Sequence, residues 1–116
     1  MSQFSIEEIS QEIEKIVENF NNLQCYQCAK EILKWLKANK IKGTLIRLRT
    51  KYDEDYIVST RLENLGITES ITANGTHYGV EVQGIVFDNL ARDGMSREDW
   101  LNDFHCPSEQ FIVEEL

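Results

Sequence analysis

Long apolar runs, proline and glycine are all scarce in this sequence. No stretch approaches the ~20 apolar residues that a membrane-spanning helix needs. The N-terminus has neither the basic start nor the apolar segment of a secretory signal. One proline and six glycines leave no room for a linker or low-complexity region. We therefore expect residues 1–116 to form a single domain that is cytoplasmic and not bound to a membrane; delivery into another cell is not encoded in them.

Basic residues are outnumbered, 12 against 20 acidic residues, which gives a net charge of −8. Such an excess of negative charge repels nucleic acid. Eight of the twelve basic residues nevertheless fall within residues 30–51. Their spacing is typical of the solvated face of one helix and one strand, without interleaved aromatics for base stacking. We expect no nucleic-acid partner.

Cysteine occurs three times, and this odd number argues against a disulfide framework. Cys25 and Cys28 form a C-x-x-C motif, but a thioredoxin-like site would need a strand directly before it. A zinc site would have to add His105 and Cys106, adjacent residues that rarely both reach one ion. We therefore expect neither a metal nor a cofactor, and nucleophile chemistry becomes the leading interpretation.

Hydrophobic periodicity predicts two helices, then a group of strands, then a last short helix. Apolar residues that recur three and four positions apart predict helices over residues 5–20, 24–38 and 96–104. Alternation predicts strands over residues 44–50, 56–59, 76–82 and 85–89. Ser5 and Glu8 form a capping box, and Gln83-Gly84 predicts a two-residue hairpin turn. Residues 61–74 are predicted as a loop, with a short strand near Ile67 as an alternative. This order indicates an α+β domain.

Three residues fit the requirements of a nucleophilic thiol site. Such a site needs a thiol of lowered pKa, a histidine within reach, and a group that holds the ring. Cys25 falls in the first turn of the second helix, where the dipole favours a thiolate. A two-residue turn places Gly79 opposite Asp88, which makes His77 and Asp88 diagonal neighbours on one sheet face. Gly79 would leave space for the imidazole.

Alternatives remain open for two members of this set. A three-residue turn would reverse the faces of the second hairpin strand and bring Asn89 to His77 instead of Asp88. Cys28 lies on the apolar stripe of its helix and is typical of core packing, yet it stays an alternate nucleophile. A single strand histidine is more often structural. The hypothesis therefore depends on all three members fitting one geometry.

Three segments resemble a known family: LQCYQCA at residues 23–29, NGTHYGV at 74–80, and VFDN at 86–89. Together they resemble the second papain-fold toxin family of bacterial polymorphic toxin systems, over roughly residues 20–105. The resemblance implies a papain-like cysteine hydrolase fold of α+β class, with N-terminal helices packed on a small antiparallel sheet. It also implies a Cys-His-Asp site, with Gln24 or Asn22 and the Cys25 N–H as oxyanion donors.

The same resemblance implies proteolysis, deamidation or a related acyl transfer on a protein substrate. It implies a toxin or defence role, with a cognate immunity protein as a partner. The alternative function is a non-catalytic binding or immunity-like module on a degenerate papain-like fold.

Overall fold

The computed structural model describes residues 4–21, 23–90 and 93–116. In these ranges the helices are α1 (Ile6–Val17), α2 (Cys25–Ala38), α3 (Thr60–Glu63) and α4 (Arg97–Asn102). The strands are β1 (Thr44–Thr50), β2 (Val58–Ser59), β3 (Thr76–Val82), β4 (Ile85–Phe87), β5 (Met95–Ser96), β6 (Phe104–His105) and β7 (Phe111–Glu115).

The two long helices begin close to their predicted positions, but only the first has a side-chain N-cap. The Ser5 hydroxyl accepts from the Glu8 N–H and the Glu8 carboxylate accepts from the Ser5 N–H, which confirms the predicted capping box. Gln24 occupies the N-cap position of α2 and makes no side-chain bond to the first turn. An uncapped first turn leaves backbone N–H groups for other partners.

Five strands form an antiparallel sheet in the order β5-β4-β3-β1-β7, and β2 pairs with β6 separately. The β3–β4 hairpin turns at Gln83 and Gly84, which have φ values of 51° and 82°. Val82 pairs with Ile85, so the predicted two-residue turn is confirmed. Thr60–Glu63 is a helical turn where a loop was predicted, and Ile67 lies in no strand.

Both faces of the sheet are covered. On one face, α1 and α2 pack against Val80, Val82 and Phe87. On the other face lies a second apolar cluster that contains Ile46, Leu48, Ile57, Leu62, Ile71, Val86, Trp100 and Phe104. Strand alternation sends neighbouring residues of β3 into opposite layers. None of the helices within the described residues is both long enough and apolar enough to cross a bilayer.

Candidate active site

His77 and Asp88 meet in the interior of the protein. His77 lies on β3, and Asp88 directly follows the last residue of β4. The distance from His77 Nε2 to Asp88 Oδ2 is 3.0 Å, and both side chains are fully buried. This contact follows from the hairpin, because a two-residue turn places the two residues on one face.

Asp88 is held by two further side chains. Its Oδ2 also accepts from Trp100 Nε1 at 2.8 Å and from Arg61 Nη2 at 2.8 Å. Its Oδ1 accepts from the Leu90 N–H at 3.1 Å. Burial alone would raise the pKa of Asp88, but the His77 hydrogen bond and the Arg61 charge outweigh it and hold that pKa well below the usual range. The carboxylate is therefore ionised and fixed in orientation.

Cys25 is the first residue of α2 and lies against the edge of β3, with its Sγ 4.0 Å from the Thr76 carbonyl oxygen. Burial would raise the pKa of this thiol. His77 and the N–H groups of Tyr78 and Tyr26 more than compensate and lower it. For His77, burial would lower the pKa, but Asp88 and Cys25 raise it to about 9. Both shifts favour a thiolate beside an imidazolium.

The second ring nitrogen of His77 is left for the thiol, because Nε2 is bonded to Asp88. Nδ1 is buried and has no aligned hydrogen-bond partner in the part of the chain that the structure describes. Cys25 is close enough for hydrogen bonding and charge to raise the pKa of the ring, and its thiol also lies 4.0 Å from the Thr76 carbonyl oxygen. Such contacts commonly tighten only when a substrate binds.

Cys28 lies in a different environment from Cys25. It lies on α2 and is fully buried in the apolar cluster that α1 and α2 form with the sheet. Burial, together with the negative charges of Asp88 and Cys25, raises the pKa of its thiol to about 12. The structure thus brings Cys25, His77 and Asp88 together and keeps Cys28 as a neutral core thiol.

Asn89, the predicted alternate to Asp88, turns away from the ring. Its Nδ2 donates to the Asn21 carbonyl at 2.5 Å and ties the hairpin to the loop before α2. Gln24 Oε1 accepts from the Asn21 N–H at 3.0 Å, which holds its amide beside the start of α2. Asn22, the other predicted oxyanion donor, lies outside the described residues.

Sequence reasoning missed Arg61 altogether and gave Trp100 no role at the carboxylate. Arg61 reaches Asp88 across 27 positions of the chain, and no local pattern indicates that contact. Gly79 was expected to make room for the imidazole, but Trp100 occupies that space. A Cβ at Gly79 would lie 2.9 Å from Trp100 Cζ2.

A cleft of about 150 Å³ opens beside the sulfur, lined by Cys25, Tyr26, Thr76, Tyr78 and the loop before β3. A larger groove of about 530 Å³ between α1 and α2 shares Tyr26 with this cleft. The Tyr26 and Tyr78 rings pack edge to face, 5.0 Å apart. Tyr26 therefore lies between a narrow cleft at Cys25 and a broader groove outside it.

The described residues place no three His, Cys, Asp or Glu side chains together in a way that could hold a metal ion. All three cysteines are free thiols. The Cys106 thiol contacts Glu54 Oε1 at 3.4 Å. A helix and loop, not a strand, precede Cys25.

Helices packed on an antiparallel sheet, with a cysteine at a helix start beside a strand histidine, define a papain-like α+β fold. The model of the family named papain fold toxin 2 matches residues 8–105. The chain belongs to this papain fold toxin family. Comparison with the curated proteins and with the solved structures gave no match. The family and the fold expected from the three short segments are thus confirmed.

Proposed function

We propose that this toxin-family protein is a cysteine hydrolase, with Cys25 as nucleophile, His77 as general acid and base, and Asp88 as the residue that orients His77. The observation that carries the proposal is the buried His77–Asp88 hydrogen bond next to a thiol of lowered pKa. Buried charged groups of this kind are costly to maintain and are typical of functional sites.

Acylation begins when the Cys25 thiolate attacks the carbonyl carbon of an amide and a C–S bond forms. The His77 imidazolium gives its Nδ1 proton to the amide nitrogen. The C–N bond then breaks, the amine leaves, and the acyl group remains on sulfur as a thioester. Asp88 keeps the ring in the orientation that aims Nδ1 at the reacting atoms.

Deacylation uses the neutral His77 as a base. It takes a proton from water while the hydroxyl adds to the thioester carbon, and the C–S bond breaks to release a carboxylic acid product and the thiolate. A main-chain amide gives proteolysis, and a glutamine or asparagine side chain gives deamidation with loss of ammonia. An amine in place of water gives acyl transfer.

The developing oxyanion needs donors that are fixed before the reaction. The uncapped first turn of α2 provides the Cys25 N–H, and the dipole of a 14-residue helix favours negative charge there. The Gln24 amide, fixed by Asn21, is the side-chain donor that we propose beside it.

A protein segment is the proposed substrate. The cleft at Cys25, about 150 Å³, is smaller than the roughly 300–1,000 Å³ of small-molecule sites. It suits one side chain of an extended segment whose neighbours lie in the groove beyond Tyr26. An immunity protein that covers this cleft is the regulatory partner we propose, consistent with membership of a toxin family.

Inducible expression in a bacterium, at matched protein levels, tests the proposal. We expect the wild type to slow growth, Cys25→Ala and His77→Ala to be harmless, and the matched control Cys28→Ala to remain toxic. Mass spectrometry of the affected cells would then identify the reaction. New protein N-termini would indicate proteolysis, conversion of glutamine to glutamate would indicate deamidation, and new isopeptide bonds would indicate acyl transfer. A Cys25→Ala variant as toxic as the wild type would instead favour a non-catalytic binding module.

A further inference from the structure

Arg61 joins the site carboxylate to a second buried carboxylate. Its Nη2 lies 2.8 Å from Asp88 Oδ2, and its Nε lies 2.8 Å from Asp103 Oδ2. The Arg61 N–H donates to Asp103 Oδ1 at 2.9 Å, and the Ser59 hydroxyl donates to Asp103 Oδ2. The guanidinium carbon lies 5.8 Å from the centre of the Phe104 ring. Arg61 is therefore fixed from several sides.

Asp88 needs a countercharge throughout the reaction, because an ionised buried carboxylate is costly when it is unpaired. His77 supplies a positive charge only while it is protonated, and it gives up that proton during acylation. Trp100 and the Leu90 N–H are neutral donors. Among the described residues that bond Asp88, Arg61 alone keeps its charge at every physiological pH.

We propose that Arg61 is a positioning residue of this site. Its permanent charge keeps Asp88 ionised, and its guanidinium group keeps Asp88 Oδ2 directed at His77 Nε2. The role rests on the proposed function of Cys25 and His77. This role gives a reason for an arginine on α3, a helix of only four residues, to be largely buried against Asp88.

The charges around Asp88 determine what a neutral residue at position 61 would do. The charges of His77 from β3 and of Arg61 act on Asp88, and Asp88 in turn acts on the Cys28 thiol of α2. Cys25 acts on His77, and Asp103 lies on the other side of Arg61. Without the arginine, the imidazolium of His77 would be the one positive charge beside Asp88 among the described residues.

Two responses to that loss are open, and each moves a limit of the pH range in which thiolate and imidazolium coexist. If Asp88 takes up a proton, His77 loses the anion that raises its pKa, and the upper limit of the range falls. If Asp88 stays ionised, loss of the cation raises the pKa of both Cys25 and His77, and the lower limit of the range rises.

The pH profile of Cys25 alkylation by iodoacetamide tests the role. We expect Arg61→Gln to move one limit of the reactive range by about one pH unit, a loss of about tenfold at that end of the profile. Arg61→Lys, which keeps the charge, should stay within about threefold of the wild type. Arg97→Gln is the matched control and should leave the profile unchanged, because Arg97 bridges Glu81 and Glu115 away from the site.

Different results separate the two proposals. An ordinary thiol profile in the wild type would contradict the proposed function itself. The role of Arg61 would be overturned if the wild type reacts as a thiolate–imidazolium pair and Arg61→Gln gives the same pH profile of alkylation. Circular dichroism must show that both proteins are folded. If Arg61→Gln does not fold, Arg61→Lys decides: a folded lysine variant that loses tenfold at either end would overturn the countercharge role.

Discussion

Asparagine at position 88 would keep the size of the side chain and remove its charge. In the wild type, Asp88 Oδ2 accepts from three side chains, His77, Trp100 and Arg61. An amide has one acceptor oxygen and a nitrogen that only donates. The variant would therefore leave a buried donor without a partner and remove the anion that holds the proton on His77.

The size of the effect follows from the pKa of His77. With Asp88 present it is about 9, and without the anion burial should bring it to the ordinary 6.5 or below. At pH 8 the protonated fraction would fall from about nine-tenths to about one-thirtieth. A thiol that has lost its imidazolium regains a pKa of at least the ordinary 9.0 and is at most about one-tenth thiolate at pH 8. Alkylation should therefore slow, by up to about tenfold.

Mass spectrometry after timed exposure to iodoacetamide measures this rate. Cys25 and Cys28 fall in the same tryptic peptide, residues 16–30, so the rate must come from fragment ions that break the chain between them. Asp55→Asn, at an exposed aspartate, is the matched control and should react like the wild type. Equal rates at pH 8 in folded Asp88→Asn and wild type would refute the conclusion that Asp88 keeps His77 protonated.

Three further predictions follow from the packing and the charges. Cys28→Ala should lower the free energy of unfolding by about 1 kcal/mol, measured in urea, and leave Cys25 alkylation unchanged; loss of that reactivity would contradict its assignment to the core. Gly79→Ala should cost about 1–3 kcal/mol by overpacking against Trp100 and also slow alkylation, and a variant that melts like the wild type would show that Trp100 is not held there. Because the pKa of His77 is raised to about 9, its stabilising contribution is complete below pH 6.5 and is lost as the pH rises through 9. The unfolding free energy of the wild type should therefore exceed that of His77→Gln more at pH 6 than at pH 10, and an equal difference would contradict the pairing.

The hairpin that holds His77 and Asp88 was predictable because its determinants are local. Alternation defines which residues share a face, and the two-residue turn at Gln83 and Gly84 sets the register. Helix α2 was predictable for the same reason, since its apolar stripe repeats over 14 residues. These two elements position Cys25 and His77, so local pattern was sufficient for that part of the site.

The surroundings of the carboxylate were not predictable, because they depend on long-range packing of short elements. Helix α3 has four residues, and β2 and β6 have two each, too few to show a period. Pairing of β2 with β6 nevertheless brings Asp103 beside Ser59 and Arg61. Strand β7 lies beyond Pro107, where the sequence pattern predicts no further element.

Reactivity of the Cys25 thiol at pH 6 tests the central claim most directly. A free cysteine is almost wholly protonated at this pH and reacts slowly with iodoacetamide. The account predicts that Cys25 in the wild type alkylates at least about tenfold faster than free cysteine, and that His77→Ala removes this advantage. Alkylation no faster than that of free cysteine, unchanged by His77→Ala, would contradict the account.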